Sequence, residues 1–220
     1  MVIDFSEPTH LRQFELVVDG RSLFINPHYL AEISPYFHAL CFANFRETHE
    51  NRVEMEDISY EDMLELLRCV CSDENFTVEH RITADNFAAL IYLSSRLLLQ
   101  NLRRELERIV ADSSGLLDTE DVPLESMVEI FVEATQADFS ETALGEMARR
   151  VGKFKKEDVV AFLTKSFPPE VHEPLLQRCQ PYFYEAPTIC TTSPRSSYNW
   201  NQMHIRTRAE AFHLQRLLFA

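Results

Sequence analysis

Two apolar runs hinged on an Asp-Gly pair constrain the fold of this chain more than any other feature. Phe14–Val18 (FELVV) leads through Asp19-Gly20 into Ser22–Ile25 (SLFI). β-Branched and aromatic runs joined by so tight a dipeptide predict a β-hairpin. Asn26-Pro27 then ends the second strand, because a residue that precedes proline is driven out of the helical region.

After the hairpin the periodicity turns helical. Short helices are expected at His28–Glu32 and Ser34–Phe42, the second with Ser34 as cap and Pro35 at its first position. Arg52–Met55 (RVEM) reads as a third strand, with Val53 and Met55 on one face. Tyr60, Met63, Leu64, Leu66, Leu67 and Val70 recur at i, i+3, i+4 and i+7 behind a cap at Ser59, which predicts an amphipathic helix. A weak strand at Asn75–Val78 and a cap at Thr83 introduce a longer helical region from Ala84 to about Val110, broken near Ser94–Arg96. Asp112–Val122 reads as a loop.

Beyond Pro123 only helices are expected. One carries Met127, Ile130 and Phe131, another Ala143, Leu144, Met147 and Val151, and shorter ones cover Glu157–Thr164 and Glu173–Cys179. From Pro181 to Asn201 the composition shifts to Pro, Ser, Thr and Tyr without periodicity, which reads as a flexible segment. Ile205, Phe212, Leu217 and Leu218, interleaved with Arg206, Arg208 and Arg216, form a candidate terminal basic helix. Early strands followed by many helices define an α+β fold: a small sheet covered by helices, followed by an all-helical extension.

Charge and composition narrow the function. The net charge is −14, distributed as −9 over residues 1–110, −10 over 111–148, where there is no Lys or Arg, and +5 over 149–220. An acidic body repels phosphate backbones, so no nucleic-acid partner is expected for the first two-thirds. No apolar run approaches the roughly 20 residues of a membrane span, and the N-terminal stretch MVIDFSEPTH lacks the character of a secretory signal. Cytoplasmic or nuclear residence, without membrane association, is the expectation. The five cysteines (Cys41, Cys69, Cys71, Cys179, Cys190) show no metal-ligand spacing and read as small apolar residues, so no metal site is expected. The four glycines are too scattered for a phosphate loop, and no G-x-S-x-G or H-E-x-x-H occurs. No cofactor is therefore expected, and a non-catalytic role is.

The stretch LVVDGRSLFINPHYLAEISPYFHALCFANFRE (Leu16–Glu47) resembles the BTB/POZ domain. The similarity continues through NRVEMEDISYEDMLELLRCV (Asn51–Val70) and ITADNFAALIYLSSRLLLQNLRRELERIV (Ile82–Val110). Leu30-Ala31 and Ser34-Pro35-Tyr36-Phe37 carry its most recognisable run, with Leu30, Tyr36 and Phe37 as core residues. Two positions depart from the family pattern. Gln13 stands where an aspartate is usual, and Asn26-Pro27 stands where a histidine and a basic residue often occur. They put in doubt the charged pocket through which some family members hold corepressors. The resemblance implies a BTB/POZ domain over 12–111. The helices over 120–180 resemble the BACK extension of such adaptors, and 181–220 is the flexible segment with its terminal helix.

Phe45-Arg46-Glu47 matches the apolar-x-acid motif by which family adaptors grip a cullin scaffold. An aromatic anchor beside a carboxylate suits a partner pocket with a basic rim. The alternative is that Phe45 packs inward and Glu47 is an ordinary loop charge. The resemblance thus implies a protein-interaction adaptor that joins a protein substrate, whose identity the sequence does not encode, to a cullin-type ubiquitin ligase. A BTB oligomerisation scaffold in a transcriptional or cytoskeletal assembly is the other reading. Homodimerisation belongs to both, and with about a dozen residues before Phe14 it is expected to rely on the early helices.

Overall fold

In the computed structural model, which describes residues 3–43, 50–71, 81–119 and 121–183, the Asp-Gly pair makes the predicted turn. Asp19 and Gly20 take φ of 50° and 70°, the paired positive values that match the right-handed twist of flanking strands. Strand β1 (Phe14–Val18) therefore runs antiparallel to β2 (Arg21–Ile25), with Phe14 opposite Ile25 and Val18 opposite Arg21. β3 (Arg52–Met55) joins the other edge of β1 in parallel, giving the order β2-β1-β3. β1 is central, and Leu16, Val17 and Val18 are all buried.

The turn also fastens the next layer. Asp19 Oδ2 accepts from Tyr60 N at 2.9 Å, the first residue of α3 (Tyr60–Val70). Ser59 Oγ accepts from Asp62 N at 3.1 Å and caps the same helix end. Arg21 lies 3.4 Å from the Tyr60 ring centroid and pairs with Glu61 at 2.6 Å.

Two short helices link the hairpin to β3. Helix α1 spans Pro27–Ile33 and α2 spans Pro35–Phe42, each one residue or so offset from the predicted bounds because proline takes the first helical position. Asn26 accepts from His28 N and Tyr29 N, so the departure from the family pattern ends the strand and starts the helix at once. Ser34 does more than cap. Its Oγ accepts from Phe37 N at 3.1 Å and donates to Leu97 O at 2.6 Å, fully buried, across to the next helix pair. Leu30 and Phe37 fill the core as expected. Tyr36 is only partly buried, its ring edge-on to Phe37 at 5.6 Å.

The long helical region divides into α4 (Ala84–Arg96) and α5 (Gln100–Ala111). The break falls at Leu97–Leu99, beyond the predicted Ser94–Arg96. Leu98 takes φ of 53°, Leu98 N bonds to Ser95 O and Leu99 N to Ser94 O, the paired bonds of a Schellman ending. The loop expected over Asp112–Val122 contains a short helix, α6 (Leu116–Thr119), anchored by the buried Leu117.

The extension consists of α7 (Leu124–Gln136), α8 (Glu141–Val151), α9 (Lys156–Ser166) and α10 (Pro169–Cys179), closed by a 3-10 turn at Gln180–Tyr182. α10 starts four residues before the predicted Glu173, with Pro169 at its first turn and Pro174 inside the helix. α7 packs on α4 and α8 on α5. The described residues thus share one body, within a compact unit bounded by Met1 and Tyr184. The strand predicted at Asn75–Val78, the triplet Phe45-Arg46-Glu47 and positions 184–220 of the expected flexible segment lie outside the described residues.

Candidate interaction surface

The sixteen residues from Pro27 to Phe42 (PHYLAEISPYFHALCF) contain one charged side chain, Glu32. Helical periodicity sends Leu30, Phe37 and Cys41 inward and leaves Phe42 on the far side of α2, 43% exposed. Phe42 contacts two exposed imidazoles, with ring centroids at 5.0 Å for His28 and 6.1 Å for His38. An exposed aromatic set with few charges is the composition of a protein interface centre. In the chain, Ala43 caps α2 and the segment carrying Phe45, Arg46 and Glu47 follows directly before β3. Phe45 carries the expectation from sequence, whereas an exposed aromatic ring among the described residues is that of Phe42. The available signal was its place next to Cys41 and away from the Phe37 side of the helix.

A cleft of about 350 Å3 opens beside α1. Tyr29, Ile33, Cys69, Val70, Leu99 and Leu102 give it apolar walls, and Asn101 and Glu105 stand at its polar side. The Tyr29 hydroxyl donates to Val70 O at 2.5 Å, and burial, then Cys71 and Glu32, raise its pKa above the ordinary phenol value. Such a cleft offers apolar contact rather than reactive groups.

The four cysteines among the described residues are not activated as nucleophiles. Burial pushes Cys41 and Cys69 up to about 11, and Cys71 and Cys179 to about 12, so their thiols stay protonated near neutral pH. Among the described residues, no group of three or more His, Cys, Asp or Glu side chains is placed to hold a metal ion. No helix among them is long and apolar enough to cross a membrane.

A small mixed sheet closed by helices, with a charge-poor aromatic helix pair at its surface, defines a module for protein–protein interaction. Residues 4–114, half of the chain, match the BTB/POZ domain family, and the chain belongs to it. The match begins eight residues before and ends three residues after the 12–111 read from sequence, and it takes in the buried Phe5. Among curated proteins, the chain is 34% identical over 109 residues to BTB and MATH domain-containing protein 38 of Caenorhabditis elegans, covering 50% of this chain and 27% of that protein. It is 23% identical over 158 residues to cytokinesis defective protein 7 of the same organism, covering 71% of this chain and 57% of that one. BTB and MATH domain-containing protein 36, also from Caenorhabditis elegans, is 23% identical over 117 residues, 52% of this chain and 35% of the relative. The chain therefore spans between about a quarter and somewhat over half of the length of these relatives.

Proposed function

We propose that this protein is an adaptor that recruits a client protein to a cullin-type ubiquitin ligase in the cytoplasm or nucleus. The BTB domain supplies the scaffold contact, with Phe45 as anchor, Arg46 beside it and Glu47 pairing with a basic rim. The helices after Pro123 act as a BACK-like extension that broadens the contact. The observation that carries the reading is the exposed Phe42 surface at the end of α2, which runs in sequence straight into the apolar-x-acid triplet. A partner that covers Phe42 and accepts Phe45 would bury two aromatic anchors, the kind of residue in which interface energy concentrates.

Titration of the full chain with the N-terminal region of a cullin tests it. The double variant Phe45→Ala, Glu47→Ala is expected to weaken binding by at least about 2 kcal/mol, roughly 30-fold. Unchanged affinity would remove the triplet from the interface.

A second reading, a self-associating BTB scaffold without ligase activity, draws on the N-terminal arm. Phe5 is fully buried and its carbonyl accepts from Phe24 N at 2.7 Å, so the arm closes on its own β2 edge and the α1–α2 face is left for a second copy. Self-association in sedimentation without any cullin binding would favour it over the ligase reading.

A further inference from the structure

The seam between α4 and α7 holds a cleft of about 360 Å3, lined by Tyr92, Ser95, Arg96, Glu133, Gln136 and Ala137. That volume lies at the lower end of small-ligand sites, which run from about 300 Å3 upward. Two polar groups in its walls have unmet needs. Ser95 Oγ is sealed from water and has no hydrogen-bond partner. Glu133 is partly buried, and among the described residues no arginine, lysine or histidine pairs with its carboxylate. Burial raises its pKa above the usual carboxylate range, and Glu129, one turn earlier on α7, adds to the shift.

The arginine in the cleft wall, Arg96, does not pair with Glu133. The Arg96 guanidinium is held on the α4 side, donating to the Tyr92 hydroxyl and, at 2.9 Å, to Glu56 O. Among the described residues no other basic group pairs with Glu133, and α7 itself lies in the stretch 111–148, which contains no Lys or Arg. An unpaired carboxylate in a partly dry cleft is a standing electrostatic cost, and a cation from outside relieves both its desolvation and its repulsion with Glu129.

We propose that this cleft receives an arginine or lysine side chain presented by a protein partner, with Glu133 as its counter-charge. The incoming N–H groups pair with Glu133, beside Ser95 and Gln136 in the cleft wall. The aliphatic stem lies along Tyr92 and Ala137, as long basic side chains do on apolar surface. The site uses none of Phe42, Phe45, Arg46 and Glu47, and its test reads no cullin binding, so either proposal can fail without the other.

The test uses the full chain, isotope-labelled, titrated with blocked single residues and followed by backbone amide shifts. N-acetyl-arginine amide and N-acetyl-lysine amide are the probes, and N-acetyl-citrulline amide is the neutral isostere. Saturable shifts centred on Ser95, Glu133 and Gln136 are expected with a basic probe and not with citrulline, and the stronger of the two identifies guanidinium or ammonium as the preferred group. Glu133→Gln is expected to weaken that binding at least tenfold, while Glu125→Gln, at the exposed start of α7, leaves it unchanged. Equal shifts with citrulline, indifference to Glu133→Gln, shifts spread over the whole acidic surface, or no saturable shift at all would each overturn the proposal.

Discussion

At the scale of single residues, Arg150 is the most demanding side chain in the protein. It is 1% exposed, yet carries a full charge. Its Nε and Nη2 pair with Asp118 Oδ2, at 2.7 Å, while Nη1 donates to Val110 O at 2.6 Å and Nη2 to Asp112 O at 2.5 Å. A buried guanidinium is tolerable only with its donors satisfied and a counter-charge at hand, and here α6 supplies the charge while the end of α5 supplies the carbonyls. Burial tends to raise the Asp118 pKa, but hydrogen bonds from Lys153, Arg149 and Arg150 outweigh it and hold the carboxyl at about 2, against an ordinary 3.8. Because the folded value lies below the unfolded one, the stabilisation is complete above about pH 4 and disappears as pH falls through 2. Asp118→Asn leaves Arg150 buried without its counter-charge and is expected to cost about 3–5 kcal/mol at pH 7. Denaturant unfolding at pH 7, 4 and 2.5 should show the gap between parent and variant narrowing in acid. A pH-independent gap would mean that packing around α6, not the charge, sets the effect.

At the scale of elements, two helix ends share one design. α4 ends with Leu98 at φ 53°, and α7 ends with Asp138 at φ 52°, each followed by a buried residue, Leu99 and Phe139. Asp tolerates the left-handed region through its short polar side chain, whereas a leucine there is strained by roughly 1–2 kcal/mol. Leu98→Gly is therefore expected to raise stability by about 0.5–1 kcal/mol, since Leu98 is also 42% exposed and little packing is lost. A lower melting temperature in the variant would show that Leu98 makes contacts that outweigh its strain. This junction also explains where the sequence was legible. The hairpin, the caps at Ser34 and Ser59, and the period of α3 are readable because the residue type and the local conformation agree, whereas Asn26 shows in the sequence only as a strand end. The α4–α5 break falls a few residues beyond Ser94–Arg96 because its left-handed position is filled by leucine, which gives no turn signal. α10 starts at Pro169, four residues before Glu173, and runs on through Pro174, a residue that locally disfavours a helix interior. Phe42 and the Ser34–Leu97 bond are not legible in the sequence, because both depend on what the folded chain brings near, which no local pattern records.

At the scale of the whole molecule, the BTB domain and the helices that follow it hold each other in both directions. From α5, Arg103 donates to Ala137 O and, at 3.0 Å, to Asp138 O, and Glu107 accepts from Ser140 N at 2.8 Å, gripping the α7–α8 turn. From α8, Arg150 returns the grip on the end of α5. α7 alone buries Met127, Val128, Ile130, Phe131 and Val132, and part of that surface lies on α4. Fully buried apolar side chains contribute about 1.5–3 kcal/mol each, while a domain's net stability is only about 5–15 kcal/mol. Removing the extension thus takes away a share comparable to the whole margin. A chain shortened to residue 114, where the family match ends, is expected to unfold at much lower denaturant than the full chain or to aggregate through the uncovered faces of α4 and α5. In the full chain, hydrogen exchange should report β1 and α8 opening together, because neither body keeps its core without the other. Separate unfolding of α7–α10 with β1 still protected, or a shortened chain with an unchanged midpoint, would mean that the clasp at Arg103 and Arg150 joins two independently stable domains.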